Sequence, residues 1–332
     1  MTRVLITGGT GFVGANLTRR LVRDGHEVHL LARDAHDAWR IEAIRRSIAL
    51  HAADLRDAAA VAQAVERIRP AWVFHLAAHG SHAWQTDLGG IVASNVAGTA
   101  NLLEACLRTG FEAFVNAGSS SEYGLKDHPA VEAESLEPNS YYAVTKASAT
   151  LLCRYAARRH GVRIPTLRLY SVYGPYEEPN RLVPALLVHG LRGTLPPLTS
   201  PDTARDFVHV DDVVDALLLA ATRPGGDPGA VYNVGSGTQT SLRALVALAC
   251  RLFGIDTEPV WGSMPDRIWD TSVWVADPRK IARELGWRPA CTLDEGLDRT
   301  AQWLRGDADL RRLYEQRLRT AHRPGAPGSA KG

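Results

Sequence analysis

The 332-residue sequence predicts an α/β fold in which a doubly wound parallel sheet is accompanied by a smaller, interleaved C-terminal lobe. Three observations predict it. Short apolar runs alternate with helix-like stretches through the first half, and such alternation places helices on both faces of parallel strands. A glycine-rich turn directly follows the first apolar run. After residue 173 the alternation gives way to irregular, proline-rich sequence, which indicates a second lobe.

The first predicted strand, at residues 4–6, leads through a turn with four glycines into an amphipathic stretch. Gly9, Gly11 and Gly14 fit the spacing G-x-G-x-x-G. Gly8 with the last two fits the looser G-x-x-G-x-x-G. Glycine lets the backbone turn sharply and approach phosphates, and a helix start offers unpaired N–H groups to an anion. The pattern is typical of a Rossmann-type, dinucleotide-binding strand, turn and helix.

The remaining elements follow in regular order. In the first half we expect strands at 28–31, 49–53, 72–78, 111–116 and 166–169, and helices at 15–24, 61–68, 96–107 and 140–160. In the second half we expect strands at 207–210 and 231–234, and helices at 213–221, 242–253 and 278–285.

The predicted strand at 231–234 adds to the main sheet, so the domains are expected to interleave. Residues 1–173 and about 207–236 would form the dinucleotide-binding Rossmann domain. About 174–206 and 237–318 would form the substrate-binding lobe. Residues 320–332, rich in Pro, Gly, Ser and Ala, are expected to be a disordered tail.

Composition excludes several classes of protein. The formal charge is only +2, and Lys and Arg are spread among acids, so no nucleic-acid partner is expected. No apolar run approaches the roughly 20 residues that cross a bilayer, and nothing resembles a signal peptide. We therefore expect a cytoplasmic enzyme without a membrane partner. The four cysteines lie far apart without metal-ligand spacing, which predicts buried thiols and no metal site.

The end of the second strand should identify the dinucleotide. A carboxylate there binds the ribose hydroxyl of NAD, whereas an arginine accommodates the 2′-phosphate of NADP. Ala32 and Arg33 fall at this point, which favours NADP(H). NAD stays possible if Arg33 is a surface residue and Asp34 takes the ribose. The remaining expected cofactor contacts are Gly8, Gly11, Phe12, Val13, Gly14, Asp54, Leu55, Leu76, Ala77 and Ala78.

Tyr142 and Lys146 are candidates for the chemistry. Residues four apart on a helix share a face, so phenol and ammonium should point into one cleft. A nearby cation favours the phenolate, which predicts a lowered pKa for Tyr142 and a role as acid or base. The lysine can also hold the nicotinamide ribose, which makes both residues expected cofactor contacts. Ser119, at the end of a predicted strand, can polarise a carbonyl oxygen.

Several motifs together resemble one family. They are the glycine turn, the serine run at 119–121 ending in Tyr123-Gly124, the pair Tyr142 and Lys146, and the stretches 167–175, 205–212 and 276–280. In this order, over residues 1–305, they resemble the extended short-chain dehydrogenase/reductases that act on nucleotide sugars. The resemblance implies an NAD(P)-dependent enzyme with a nucleoside-diphosphate sugar as its substrate.

The resemblance implies roles for individual residues. Ser119, Tyr142 and Lys146 would form the catalytic triad. Ser120 or Ser121 could replace Ser119 if the loop is one residue out of register, and both serines would otherwise contact substrate.

The resemblance also implies substrate-binding arginines. Arg205 and Arg267 would bind the diphosphate. Arg181 would be a further sugar-nucleotide contact, although relatives often carry Asn there. For all three, a solvated surface arginine is the alternative.

The catalytic residues leave the reaction open. Relatives that eliminate water carry Asp-Glu, or at least Glu, after the catalytic residue, where this chain has Ser120 and Ser121. Glu122 comes one residue late, so a dehydratase is disfavoured. We expect an NADPH-dependent 4-ketoreductase acting on a nucleotide-linked 4-keto-(6-deoxy)hexose. An NAD-dependent C4 epimerase and, less readily, a non-catalytic NADP sensor are the alternatives.

A homodimer is also implied by the resemblance, through the helices near 96–107 and 140–160. Leu102, Leu103, Leu151 and Leu152 could supply its apolar face, although burial in the core would use them equally well.

Overall fold

A computed structural model of the chain describes residues 1–33, 37–81, 85–223, 226–264 and 271–321. Its strands are β1 (Arg3–Thr7), β2 (Glu27–Ala32), β3 (Ala49–Ala52), β4 (Trp72–His75), β5 (Ala113–Ser119), β6 (Thr166–Leu169), β7 (Ser171–Tyr173), β8 (Ala204–Arg205), β9 (Phe207–His209), β10 (Val231–Val234) and β11 (Thr240–Ser241). Its α-helices are α1 (Phe12–Arg23), α2 (Ala58–Ile68), α3 (Leu88–Val92), α4 (Gly98–Thr109), α5 (Tyr141–His160), α6 (Leu182–Gly190), α7 (Val210–Thr222), α8 (Leu242–Phe253), α9 (Arg279–Leu285), α10 (Leu293–Gly306) and α11 (Ala308–Ala321).

Seven strands of the described chain form one parallel sheet in the order β3-β2-β1-β4-β5-β6-β10. This order confirms the predicted doubly wound fold. The strand order reverses between β1 and β4, and ligands of such sheets lie beyond the carboxyl ends of the strands at that point. The glycine turn after β1 and the loop after β4 both open there.

Apolar helices cover both faces of the sheet. On one face α1, α7 and α9 bury residues such as Leu17, Leu217 and Ile281 at 0% exposure. On the other, α2, α4 and α5 bury Val61, Leu102 and Cys153, also at 0%. Burying one such aliphatic side chain contributes roughly 1.5–3 kcal/mol. Strands covered on both sides explain why their sequences are almost continuously apolar.

A third core lies under α6, α8, α10 and α11. Two short sheets flank it, β7 with β9 in parallel and β8 with β11 antiparallel. We propose the interleaved domain division that the sequence predicts, because this core is separate from the two that cover the main sheet. Of the predicted tail, residues 320 and 321 end α11, and residues 322–332 lie outside the described chain.

The structure shifts several predicted elements. The strand predicted at 72–78 ends at His75, so residues 76–78 form a loop beside the glycine turn. The strand predicted at 207–210 pairs with β7 rather than joining the main sheet. The helix predicted at 96–107 is the continuation of α3, through a π-helical turn at Ala93–Ala97, into α4.

Candidate active site

The glycine turn is made for close backbone approach. Gly8 has φ +71°, and a Cβ on it would lie 2.6 Å from the backbone nitrogen of Ala77. A Cβ on Gly14 would lie 2.1 Å from the Gly8 carbonyl oxygen. Helix α1 begins at Phe12, after the N-cap Gly11, without a side-chain cap, so its first turn, which includes Val13, presents backbone N–H groups outward. This cradle fits a dinucleotide pyrophosphate.

The loop after β4 lies against this turn. The backbone nitrogen of Leu76 donates to Thr7 O at 3.1 Å, and that of Ala77 lies 3.4 Å from Thr7 Oγ1. Leu76 and Ala77 therefore lie beside Gly8 at the carboxyl edge of the sheet, and Ala78 follows in the same loop.

The predicted contacts with the adenosine of the cofactor follow β2 and β3. Arg33 is exposed at the end of β2, whereas Asp34 lies outside the described residues. Asp54 accepts two side-chain hydrogen bonds from Arg56, 2.6 Å from Nη2 and 3.0 Å from Nε. These bonds, with a smaller contribution from Arg33, lower the pKa of Asp54. Leu55 accepts a hydrogen bond from Asn101 through its carbonyl oxygen at 2.8 Å, which fixes the loop.

The three predicted catalytic residues meet at the carboxyl end of β5. Ser119 is its last residue, and Tyr142 and Lys146 lie in the first turns of α5, whose N-cap is Ser140. The Ser119 side chain lies near the Tyr142 phenol and favours its ionised form, which acts to lower the pKa of the phenol. Lys146 Nζ donates to the Ala117 carbonyl oxygen at 2.5 Å. A carbonyl oxygen placed beside Ser119 and Tyr142 would thus find two hydroxyl partners.

The pKa of Tyr142 differs from the prediction. Burial raises it, and the negative charge of Glu122 raises it further. The Ser119 hydroxyl and the positive charge of Arg181 act in the opposite direction. Lys146 has its own pKa lowered by burial. The expected lowering of the phenol pKa by Lys146 is therefore wrong for this structure, because desolvation of the phenolate dominates. A neutral phenol is an acid able to protonate an oxygen.

Sequence reasoning missed Asn95, in the π-helical turn. Its Oδ1 accepts from His79 N at 2.7 Å, and its Nδ2 donates to His79 O at 2.7 Å and to Thr145 Oγ1 at 2.9 Å. Thr145 in turn donates to the Tyr142 carbonyl oxygen at 2.9 Å. Asn95 therefore links the loop after β4 to the first turns of α5 through hydrogen bonds. π-Helical turns often occur at functional sites, but no local sequence signal announces this one.

His75 lies beneath this network, fully buried. Its Nδ1 lies 2.7 Å from Thr7 Oγ1 and its Nε2 lies 2.9 Å from Thr99 Oγ1. Because Thr99 donates its own proton to the Asn95 carbonyl oxygen, His75 Nε2 is the donor to Thr99. Burial, together with the charge of Lys146, lowers the pKa of His75 to about 3, so the imidazole is neutral.

The serines at 120 and 121 contact different parts of the site. Ser121 Oγ lies 2.7 Å from Ser119 Oγ, on the catalytic side. Ser120 Oγ instead accepts from the Trp274 indole Nε1 at 3.2 Å. The guanidinium carbon of Arg205 lies 5.7 Å from the centroid of the Trp274 ring. The structure thus brings two predicted substrate residues, Ser120 and Arg205, to one tryptophan.

Arg181, a predicted substrate contact, lies near Tyr142. It donates to the Ser81 carbonyl oxygen at 3.0 Å and is close enough to Tyr142 to lower the phenol's pKa. Arg267, the second predicted diphosphate arginine, lies outside the described residues.

Glu122 points into the protein. Its Oε1 accepts from Ser119 N at 2.8 Å and from Thr150 Oγ1 at 3.0 Å, and its Oε2 pairs with Arg168 Nε at 2.9 Å. The side chains of this ion pair are 0% and 4% exposed. The carboxylate is thus part of the scaffold beneath the serine run.

Among the described residues, no group of three or more His, Cys, Asp or Glu side chains could hold a metal ion. In the same part of the chain, no helix is long and apolar enough to span a membrane.

Comparisons with known proteins identify the family of the chain. The model of the NAD dependent epimerase/dehydratase family matches residues 4–235. The dTDP-glucose 4,6-dehydratase of Streptomyces griseus is 33% identical over 326 residues, covering 91% of this chain and 94% of that protein. The structure of a Thermus thermophilus UDP-glucose 4-epimerase with NAD has a TM-score of 0.82 at 30% identity, covering 92% of this chain and 100% of that one. A Streptomyces venezuelae dTDP-glucose 4,6-dehydratase solved with NAD gives 0.82 at 29% identity, covering 92% and 98%.

Proposed function

Because this chain belongs to the NAD-dependent epimerase/dehydratase family of nucleotide-sugar enzymes, we propose that it transfers a hydride at C4 of a hexose linked to a nucleoside diphosphate, without eliminating water. The observation that carries the proposal is the grouping of Ser119, Tyr142 and Lys146 at the carboxyl end of β5, next to the glycine cradle. This arrangement supplies an acid, a hydroxyl partner and a cation at one point.

The proposal departs from the dehydratases among the relatives. Dehydration needs an acid for the departing hydroxyl and a base for the carbon proton, and the resemblance places them at Ser120 and Ser121. Neither serine supplies a carboxylate, and Glu122 is engaged by Arg168 and Thr150 inside the scaffold. Hydride transfer at C4 needs only the triad besides the nicotinamide, which supplies or accepts the hydride when bound.

As a reductase, the enzyme would act on a 4-keto-(6-deoxy)hexose. Ser119 Oγ and the Tyr142 phenol would bind the carbonyl oxygen, and the phenol would protonate it as negative charge develops there. Lys146 would hold the nicotinamide ribose. The reduced nicotinamide supplies the hydride when bound. A neutral Tyr142 is the protonation state that this step requires.

We favour this reductase, with NADPH as cofactor. Ala32 leaves room at the end of β2, and the exposed guanidinium of Arg33 follows it, which suits a 2′-phosphate. An exchangeable NADPH serves net reduction.

The second candidate is a C4 epimerase that retains NAD. It is favoured by the similarity to the Thermus UDP-glucose 4-epimerase, whose structure contains NAD. Here Tyr142 would act first as base and then as acid.

One experiment separates the two candidates. The purified protein is denatured, released cofactor and nucleotide are identified by mass spectrometry, and fresh protein is assayed with NADPH and dTDP- or UDP-4-keto-6-deoxyglucose. The reductase consumes NADPH stoichiometrically with ketone. Tightly held NAD together with interconversion of UDP-glucose and its C4 epimer, without added cofactor, would replace the reductase by the epimerase. Release of water from dTDP-glucose would overturn both.

We also propose a homodimer through α3 and α5. Leu102 and Leu103, candidates for this face by sequence, are 0% and 4% exposed in the core, and Leu152 packs against that core. Leu151, the fourth candidate, is exposed and belongs to an apolar stripe with Leu88, Val92, Tyr141, Val144 and Tyr155. Light scattering should give twice the chain mass, and Leu151→Glu should give the monomer.

A further inference from the structure

The loop at residues 174–181 is attached to the helix that begins at the glycine cradle. Asn16, in the second turn of α1, donates through Nδ2 to the Pro175 carbonyl oxygen at 2.9 Å. The guanidinium carbon of Arg19, further along the same helix, lies 3.8 Å from the centroid of the Tyr176 ring. The 174–181 loop therefore rests on the helix whose first turn belongs to the proposed cofactor site.

A second attachment comes from the segment that follows β2. Arg40 in this segment is only 6% exposed. Its Nε donates to the Tyr176 carbonyl oxygen and its Nη2 to a carboxylate oxygen of Glu178, both at 2.7 Å. Arg33, the predicted contact of the cofactor's 2′-phosphate, comes earlier in the same segment. One buried arginine therefore joins the chain after a predicted cofactor contact to the 174–181 loop.

The backbone at Tyr176 depends on such contacts. Its φ is +69°, a left-handed conformation that is strained for a bulky residue and persists only where the surroundings hold it. The Tyr176 carbonyl is held by Arg40, and its ring lies under Arg19. The next carbonyl oxygen, that of Glu177, accepts from the Tyr314 hydroxyl at 2.7 Å. Loss of Arg40 would remove one of these contacts and let the strained turn relax.

Charged groups connect this turn to Tyr142. Glu177 is buried, which raises the pKa of its carboxyl to about 8, while the positive charges of Arg181 and Arg40 act to lower it. The Arg181 backbone nitrogen donates to the Glu178 carbonyl oxygen at 2.9 Å, so Arg181 is bonded to the turn itself. Its positive charge acts to lower the pKa of Tyr142. A shift of the turn would therefore move Arg181 relative to Tyr142.

We propose, on the basis of the function proposed above, that Arg40 is a positioning residue that couples cofactor binding to substrate binding. A cofactor bound at the glycine cradle and at Arg33 holds α1 and the segment after β2 in one arrangement. Through Arg40 this arrangement fixes the 174–181 loop, so that Arg181 is already placed when the nucleotide sugar binds. The second ligand then has less of the protein to order, and it binds more tightly.

The test measures this coupling in both directions, because a coupling free energy is reciprocal. Calorimetric titrations give the Kd of UDP-, dTDP-, GDP- and CDP-glucose with and without saturating NADP⁺, and the Kd of NADP⁺ with and without the preferred sugar. Each ligand should lower the Kd of the other about tenfold, which is about 1.4 kcal/mol. In Arg40→Met this coupling factor should fall below about twofold, while the Kd of NADP⁺ alone stays within about twofold of wild type.

Gentler variants guard against misfolding. Glu178→Gln keeps an acceptor for Arg40 without the charge and should lower the coupling factor by about two- to threefold. Arg40→Lys keeps the charge and should retain more of the coupling than Arg40→Met. Arg20→Met is the matched control. It removes an arginine that joins α1 to α7 through Asp215, with 2.6 Å between Nη1 and Oδ1, and should leave the coupling factor unchanged.

Three results would overturn the assignment of Arg40. The first is a wild type in which neither ligand changes the Kd of the other. The second is full coupling in the folded Arg40 and Glu178 variants. The third is a cofactor that copurifies and does not exchange, because its binding could then not respond to the sugar. Failure of the wild type to bind any of the four nucleotide sugars would instead refute the proposed function itself.

Discussion

The proposed cofactor side and the proposed substrate side of the cleft are built differently, and we call them the cofactor wall and the substrate wall. The proposed cofactor wall consists largely of backbone: a Cβ on Gly8 or Gly14 would meet main-chain atoms at 2.6 Å and 2.1 Å. The proposed substrate wall consists of long side chains from distant segments, with Arg181 at the N-cap of α6 and Arg205 in β8.

This difference suggests that the backbone of the fold determines cofactor binding, whereas individual side chains determine which substrate binds. A backbone cradle suits a cofactor that many related enzymes share. Any side chain added to its glycines would disturb the turn, so the cradle tolerates few substitutions. A wall of side chains can change its substrate by single substitutions. The proposed catalytic triad lies where the two proposed walls meet.

The largest effect is expected from Tyr142→Phe, which removes the acid at the junction and leaves both walls intact. General acid catalysis contributes about 10²–10⁴-fold, so kcat should fall by that factor. Steady-state kinetics and calorimetry check this together, with cofactor and sugar affinities expected to stay near wild type. Full activity of the variant would mean that the phenol is not the acid.

Glu122→Ala should destabilise the scaffold beneath the junction. It leaves Arg168 buried and unpaired, a loss that typically costs about 3–5 kcal/mol. Urea unfolding followed by circular dichroism measures it. Glu122→Gln keeps an acceptor for Ser119 N and Thr150 and should cost less. A Gln variant with native stability and no turnover would show that Glu122 acts on the substrate instead.

Gly14→Ala tests whether the cofactor wall depends on backbone contact. The added Cβ would displace the Gly8 carbonyl, so we expect a loss of about 1–3 kcal/mol in the free energy of unfolding, together with weaker cofactor binding. Thermal unfolding and fluorescence titration with NADPH measure the two. Gly25→Ala is a poor control, since Gly25 has φ +80°. Gly306→Ala, with open space around it, is the better one and should leave cofactor binding unchanged.

Arg33→Ala should have the smallest effect, since it changes one exposed side chain at the end of β2 and leaves the backbone of the proposed cofactor wall intact. Loss of a charge-assisted contact to a 2′-phosphate should lower the preference for NADPH over NADH by about tenfold, without changing stability. The ratio of kcat/KM values for the two cofactors measures it. An unchanged ratio would remove the basis for preferring NADPH.

Some features of the site could be predicted because they are local. The glycine spacing and the four-residue spacing of Tyr142 and Lys146 need only the geometry of a turn and of a helix. Their meeting with Ser119 follows from parallel strands, whose carboxyl ends share one edge. The resemblance to nucleotide-sugar enzymes rests on the same motifs, and the family match confirms it.

Other features depend on packing, and sequence reasoning misses them or predicts them wrongly. The sequence allows Lys146 to lower the pKa of Tyr142, but burial raises it. Leu102 and Leu103 are candidates for a dimer face by sequence and are core residues in the structure. Asn95 carries no sequence signal, because its role depends on contacts with His79 and Thr145.

The sequence by itself determined the fold and the glycine turn and predicted the three residues of the proposed triad, because period, spacing and turn chemistry act over short stretches of chain. Tertiary structure decided that Glu122 faces Arg168, that burial raises the pKa of Tyr142, and that Trp274 lies between Ser120 and Arg205. These outcomes depend on desolvation and on contacts between residues far apart in the chain, neither of which a local pattern records.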